Sequence, residues 1–121
     1  MLFIDVVSIK ESSCCEKCAS FEYDLPCKID KVILEELVLF LNSSEKPMTI
    51  NANEDLLKTN KLFNSNTPIK ITKDENTKIE LKPNRRWLKL CVSKEDNNTK
   101  QKVEMKLAEW ISSTLKIEIE L

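Results

Sequence analysis

The spacing of apolar and polar residues predicts two kinds of element in the first half of the chain. Residues 2–9 are nearly all apolar and rich in β-branched side chains, which predicts a strand buried on both faces at the centre of a sheet. Residues 30–42 follow Asp30, a helix-capping residue, and their apolar side chains cover more than one helical face. They predict a largely buried helix. A short strand is expected at 47–51 and a second helix at 54–63.

In the second half the apolar period changes to two. Apolar and polar residues alternate through 69–72, 77–82 and 87–92, which predicts an antiparallel meander of three strands with one apolar face. Within it, Trp87 and Lys89 are expected on the face opposite Leu88 and Leu90.

Two elements are predicted after the meander. Residues 100–114 carry apolar side chains at helical spacing and predict a third helix. Residues 115–121 alternate again and predict a final strand with one solvated face.

Together these elements predict a single α+β domain over residues 1–121, with a mixed sheet of five or six strands packed by three helices. Apolar residues make up 41% and charged residues 32%, as in soluble globular proteins. The net charge of -1 does not favour a nucleic-acid binder or a membrane-surface binder. The apolar start is short and interrupted by Asp5, so no signal peptide is expected, and we expect a cytoplasmic protein.

The chain contains no histidine and no glycine. The first absence removes imidazole as a metal ligand, general base or pH switch, and with it the usual serine-nucleophile arrangement. The second removes glycine-rich phosphate loops and dinucleotide fingerprints. Backbone positions of positive φ are therefore expected at Asn or Asp, of which the chain has many.

Candidate chemistry is concentrated in a cysteine cluster, which we expect in a loop between the strand at 2–9 and the helix at 30–42. The cluster comprises Cys14, Cys15, Cys18 and Cys27, and Cys91 lies far away on a predicted strand. Cys15 and Cys18 form a Cys-x-x-Cys pair, so both sulfurs can reach one soft metal ion or each other. Three hypotheses stay open: a metal site of the four clustered cysteines, with zinc as the candidate metal; a redox pair; and cysteines that only pack, as we expect for Cys91.

The order of elements resembles the thioredoxin superfamily, with a buried strand, a Cys-x-x-Cys pair, a long helix, a strand, a helix, a proline-preceded strand, a hairpin partner and a last helix. This resemblance implies an alternative thioredoxin-like fold and a thiol–disulfide oxidoreductase. Carried over by position, Cys15 attacks, Cys18 resolves, Pro68 faces the pair and Asp5 stands for the buried acid. Asp5 among apolar neighbours is also a candidate buried carboxylate in its own right, the alternative being a capping role.

A basic patch with one aromatic residue is a second candidate site. Lys82, Arg85, Arg86, Trp87 and Lys89 fall close together near a turn of the meander. Cations beside a stacking aromatic suit single-stranded nucleic acid, whereas the alternative is a solvated hairpin balanced by nearby acids. The net charge favours the second interpretation.

The function expected from these patterns is that of a small non-enzymatic binding or regulatory protein. Its cysteine loop is structural or holds a soft metal. The alternatives are the Cys15/Cys18 redox enzyme and nucleic-acid binding through the basic patch. A protein partner or self-association through an edge strand is expected, with the C-terminal strand as the candidate edge.

Overall fold

The computed structural model describes residues 1–13, 16–41 and 68–121, together with the backbone of 49–51. The elements in chain order are α1 (Phe3–Val6), β1 (Ser8–Ser13), β2 (Cys18–Asp24), α2 (Lys31–Leu41), β3 (Thr49–Asn51), β4 (Ile69–Thr72), β5 (Lys78–Lys82), a 3-10 turn (Pro83–Arg85), β6 (Trp87–Ser93) and α3 (Asn97–Leu115). The predicted helix at 54–63 lies outside the described residues.

The described strands form one six-stranded sheet in the order β1-β2-β6-β5-β4-β3. The predicted α+β class is confirmed, and the predicted meander is present as β4, β5 and β6. Every pair of neighbouring strands is antiparallel, so the sheet is antiparallel and not mixed. The parallel pairing found in the described part of the chain is an isolated bridge between Leu2 and Glu120.

The hydrophobic core lies between one face of this sheet and the helices α2 and α3. The strands contribute the alternate residues Ala19, Phe21, Tyr23, Ile69, Ile71, Ile79, Leu81, Leu88, Leu90 and Val92. The helices contribute Ile33, Leu34, Leu37, Leu41, Val103, Leu107, Ala108, Trp110 and Ile111. Since both helices pack on the same face, the opposite alternate residues of the strands point away from this core.

Side-chain caps define where both long helices begin. The Asp30 carboxylate accepts a hydrogen bond from the Ile33 amide at 3.2 Å, and the Asp96 carboxylate accepts one from the Thr99 amide at 3.1 Å. Each carboxylate satisfies an amide that has no partner inside its helix. The helices predicted at 30–42 and 100–114 are confirmed within a few residues.

The N-terminal segment is a correction, because the predicted strand at 2–9 is wrong. Phe3 lies in α1 and Val7 directly follows it, and each is 2% exposed within the core. Ile4 and Asp5 are exposed, and the Asp5 carboxylate accepts a hydrogen bond from the Leu2 amide at 3.2 Å. Asp5 is therefore a capping residue and not a buried acid.

The antiparallel pair of β1 and β2 was not predicted by the periodicity of the sequence. β1 is an edge strand with polar side chains on both faces, and in β2 the small residues Ala19 and Ser20 hide the alternation. Cys18 is therefore the first residue of a strand, rather than part of a loop between a strand and a helix.

The predicted C-terminal strand is also wrong. α3 continues to Leu115 and ends at Lys116, after which the chain joins residues 1–3 through the isolated bridge. The Phe3 amide donates to the Glu120 carbonyl at 3.0 Å, and the Glu120 amide donates to the Met1 carbonyl at 2.9 Å. The two edge strands of the sheet are β1 and β3, and of these the structure describes β1 with its side chains. The C-terminal segment is not an edge strand of this sheet.

Left-handed backbone positions do not fall to Asn or Asp in the described residues. They are Arg86, with φ of 54°, and Lys116, with φ of 55°. Arg86 ends the 3-10 turn between β5 and β6, and Lys116 ends α3. Both positions are ones where glycine is the usual choice in proteins.

Candidate functional site: the open face of the sheet

The face of the sheet away from the core, called here the open face, has a regular polar surface. Its residues are those that alternate with the core residues of β1, β2, β4, β5 and β6. The charged ones are Lys10, Glu22, Asp24, Lys70, Lys78, Glu80, Lys82 and Lys89. Five lysines against three carboxylates make this face positive, although the whole chain has a net charge of -1.

One row of the open face alternates in charge from strand to strand. The register places Lys10 opposite Glu22, Glu22 opposite Lys89, Lys89 opposite Glu80, and Glu80 opposite Lys70. We call these five residues the charge ladder. Directly opposite side chains of opposite charge stabilise a sheet by about 0.2–1 kcal/mol per pair. The register of the strands therefore gives the open face a defined pattern of alternating charge.

The centre of the open face is less exposed than its margins. Glu22, Lys89 and Glu80 are half-buried, while Lys10 and Lys70 at the two ends of the ladder are exposed. Long side chains that are already packed lose less conformational freedom when a partner covers them.

Trp87 and a shallow depression lie beside the ladder. The Lys82 ammonium sits 4.4 Å from the centroid of the Trp87 ring, which is a cation–π contact within the face. The depression measures about 290 Å³. The residues lining it are Lys70, Ile71, Thr72, Lys78, Ile79, Glu80, Lys89 and Cys91. The open face thus offers a half-buried aromatic ring and a concavity as well as charge.

The predicted basic patch is divided between two surfaces. Trp87 and Lys89 lie on the open face, as predicted, and Leu88 and Leu90 face the core. Arg85 belongs to the 3-10 turn at the end of the sheet, and an Arg86 guanidinium nitrogen donates to the Pro26 carbonyl at 3.4 Å. Arg86 is therefore directed toward the loop after β2, and the cation over the Trp87 ring is Lys82.

The described cysteines of the cluster are not brought together. Cys18 begins β2 and its thiol donates to the Asn76 side-chain oxygen at 3.4 Å, whereas Cys27 follows the other end of β2 and is 8% exposed within the core. Seven strand residues separate the two ends by about 20 Å at about 3.4 Å per residue. Zinc binds sulfur at about 2.3 Å, so Cys18 and Cys27 do not share one ion in this arrangement.

Cys14 and Cys15 lie outside the described residues, and a metal or redox role that involves them stays a prediction. Across residues 1–13, 16–41 and 68–121, no three His, Cys, Asp or Glu side chains come together as a metal site. Burial raises the pKa of the Cys27 thiol, the nearby Asp30 charge raises it further, and Arg86 lowers it. Cys91 is half-buried on the open face instead of packed in the core.

A larger cavity of about 460 Å³ lies where the β1–β2 end of the sheet meets the start of α3. Phe21 and Lys100 line it, and the Lys100 ammonium is 4.9 Å from the Phe21 ring centroid. Lys100 also pairs with Glu104 at 2.9 Å, and Glu104 accepts the Tyr23 hydroxyl at 3.0 Å. These contacts join α3 to β2, which gives the cationic group in the cavity a structural role.

The pattern on the open face was missed from sequence because it depends on strand register. Glu22 and Lys10 belong to β2 and β1, the antiparallel pair that the periodicity did not predict. Glu80 and Lys70 belong to predicted strands, but their alignment with Lys89 follows only from the pairing of β4, β5 and β6. In the sequence, the sign of this charge pattern is limited to the lysines and glutamates at the outward positions of the meander.

The fold and this face define the class of molecule: an α+β protein whose antiparallel sheet is packed by helices on one side and charged on the other. Comparison of the chain with family models, with curated proteins and with solved structures found no match. In the part of the chain that the structure describes, no helix has the length and apolar character needed to cross a membrane.

Proposed function

We propose that this chain is a small non-enzymatic interaction protein and that the open face of its sheet is the surface that contacts a protein partner. The observation that carries the proposal is the charge ladder, which runs across five neighbouring strands of the sheet. A pattern of alternating charge suits recognition, because a matching surface is attracted in one register and repelled in others.

The surroundings of the ladder support the same proposal. Trp87 is the kind of residue that contributes strongly to protein interfaces, and it is half-buried beside the ladder. The depression of about 290 Å³ next to Lys89 and Glu80 gives a partner side chain a place to enter. The lack of histidine in the sequence removes the most common catalytic acid–base group, which makes binding the simpler role.

Site-specific photo-crosslinking in the cells that produce the protein tests the proposal. A photoreactive amino acid replaces Lys70, which is exposed on the open face, and in a matched control it replaces Gln101, which is exposed on α3. We expect a discrete protein adduct from position 70 that is absent from position 101. We also expect Lys89→Glu to abolish it while the circular dichroism spectrum is unchanged.

Two results overturn the proposal. One is the absence of any adduct from position 70. The other is an adduct that forms equally from both positions or survives Lys89→Glu, since neither behaviour depends on the charge pattern of the open face.

A further inference from the structure

We infer that the partner of the open face is a second copy of this chain, packed face to face about a two-fold axis that runs along the strands between β5 and β6. This inference rests on the proposed function and names its partner. The argument comes from the signs in the charge ladder and from the place of β5 and β6 in the sheet.

A two-fold axis parallel to the strands reverses the order of the strands in the second copy. If the axis lies over β6, Lys89 faces its own equivalent, and if it lies over β5, Glu80 does so. If the axis lies between these strands, Lys89 faces Glu80 of the second copy and Glu22 faces Lys70 of the second copy. Each charge near the axis then meets its opposite.

The space between β5 and β6 is also the midline of the sheet. The order β1-β2-β6-β5-β4-β3 has three strands on each side of it. An axis at the midline therefore overlaps all the strands of both copies, while an axis between any other pair leaves strands uncovered. The same placement sets Trp87 of one copy against Lys82 of the other, so the cation–π contact within each chain is extended between chains.

The area of the open face sets the expected strength of the dimer. Six strands about 4.8 Å apart and three outward rows about 6.8 Å apart cover roughly 580 Å² per copy, or about 1,200 Å² in total. This total is at the lower limit for specific interfaces, so we expect a dissociation constant on the order of 10 micromolar. Since the contacts are between charges, affinity is expected to fall as salt is added.

Charge reversal at Lys89 and Glu80 tests the inference, because these residues flank the axis and stay opposed when the sheets are rotated by about 30°. Lys89→Glu alone and Glu80→Lys alone each create two like-charged contacts across the two-fold axis. A mixture of the two variants restores opposite charges in the heterodimer. Mixing cannot repair the ladder within either chain, so recovery on mixing reports only a contact between chains.

Sedimentation of the purified full chain at low salt measures the outcome. We expect a wild-type dimer, at least about tenfold weaker association for each single variant, recovery in the equimolar mixture and recovery in the double variant K89E/E80K. Lys106→Glu, a charge reversal on α3 that breaks only the 3.3 Å pair with Glu36, is expected to leave the dimer unchanged. Circular dichroism confirms that each variant is folded.

The inference is overturned if the wild-type chain is monomeric at about 500 micromolar, if mixing restores nothing, or if Lys106→Glu weakens the dimer as much as Lys89→Glu. A labelled single-stranded oligonucleotide that binds the monomer and is lost on Lys89→Glu also overturns it. If the purified chain stays monomeric while position 70 still yields an adduct with a different protein, the inference fails and the proposed function stands.

Discussion

The strongest single prediction concerns Tyr23, which joins β2 to α3. Its side chain is fully buried, and its hydroxyl donates to the Glu104 carboxylate at 3.0 Å. Tyr23→Phe removes this hydrogen bond and leaves the ring in place. Hydrogen bonds to charged groups contribute about 1.5–3 kcal/mol, and Glu104 keeps the Lys100 ammonium at 2.9 Å. We therefore expect a loss of about 1.5 kcal/mol in the free energy of unfolding at pH 7.

The size of this loss should depend on pH in a defined direction. Burial raises the pKa of Tyr23 well above its ordinary value of 10.0, and the Glu104 charge and hydrogen bond raise it further. The stability linked to this shift is complete below pH 10 and declines above it, because the unfolded chain then releases the phenolic proton while the folded chain keeps it. The decline is about 1.4 kcal/mol per pH unit for the wild type, and Tyr23→Phe lacks it. The two proteins should become equally stable near pH 11, about where the lost 1.5 kcal/mol is offset.

Urea unfolding of both proteins between pH 7 and 11.5, followed by circular dichroism, measures the difference. Every other side chain is the same in the two proteins, so its effect cancels in the comparison. Tyr23 is the single tyrosine of the chain, so absorbance at 295 nm follows its ionisation alone. A stability difference that stays constant through pH 11, or tyrosinate that appears near pH 10 while the sheet is intact, would refute the reasoning.

Four further predictions concern the core, the helix ends and a thiol. Leu37→Ala empties a fully buried site and should cost about 2–5 kcal/mol in urea unfolding, while Leu39→Ala at a 67% exposed site of the same helix should cost less than about 0.5 kcal/mol. Asp96→Ala removes the cap of α3 and should lower the free energy of unfolding by about 1 kcal/mol. Asp96→Asn should keep most of this capping stability, and equal losses for the two variants would contradict the capping role. Lys116→Gly relieves a φ of 55° and should raise the melting temperature through about 0.5–1 kcal/mol, whereas a lower melting temperature would argue against strain there. Because burial raises the pKa of Cys27, its alkylation by iodoacetamide at pH 8 should be much slower than in the urea-unfolded chain, and equal rates by mass spectrometry would disprove the protection.

The sequence predicted elements whose side-chain pattern is imposed by the core. The meander alternates because Ile79, Leu81, Leu88 and Leu90 must all enter the core from one side of the sheet. The long helices were predictable for the same reason, since their apolar residues repeat at helical spacing and their first turns are capped by aspartates. Burial on one face produces a periodic pattern of apolar residues, and elements with such a pattern can be predicted from the sequence.

The elements that the sequence did not predict are those without one-sided burial. β1 is an edge strand with little to bury, so its polar sequence has no alternation to detect. The predicted strand at 2–9 was wrong for a different reason, because apolar composition there does not correspond to burial. The segment is mostly apolar, but Phe3 and Val7 are the residues of this segment buried in the core, while Leu2 and Ile4 stay exposed. Composition alone does not distinguish these cases, because exposure at the ends of a chain depends on which other segments pack there.

The candidate site shows why chemistry at the surface was harder to predict than the fold. The cysteine cluster is the most conspicuous feature of the sequence, yet Cys18 and Cys27 lie at opposite ends of β2. The charge ladder, by contrast, consists of ordinary lysines and glutamates that are unremarkable one by one. Their arrangement exists only once the strand register is known.

Alternation of charge, rather than the number of charges, is the property that matters in the proposed dimer. Sliding the second copy by one strand, about 4.8 Å, would turn each attraction near the axis into a repulsion. A face with the same residues in blocks of like sign would not discriminate between neighbouring registers in this way. The double variant K89E/E80K keeps opposite charges across the axis, but within each chain it sets like charges opposite Glu22 and opposite Lys70, so we expect it to keep the dimer at some cost to the stability of the sheet. A mixture of this variant with the wild-type chain then tests the contact between chains apart from the pairing within a chain, since each heterodimer would place like charges on both sides of the axis.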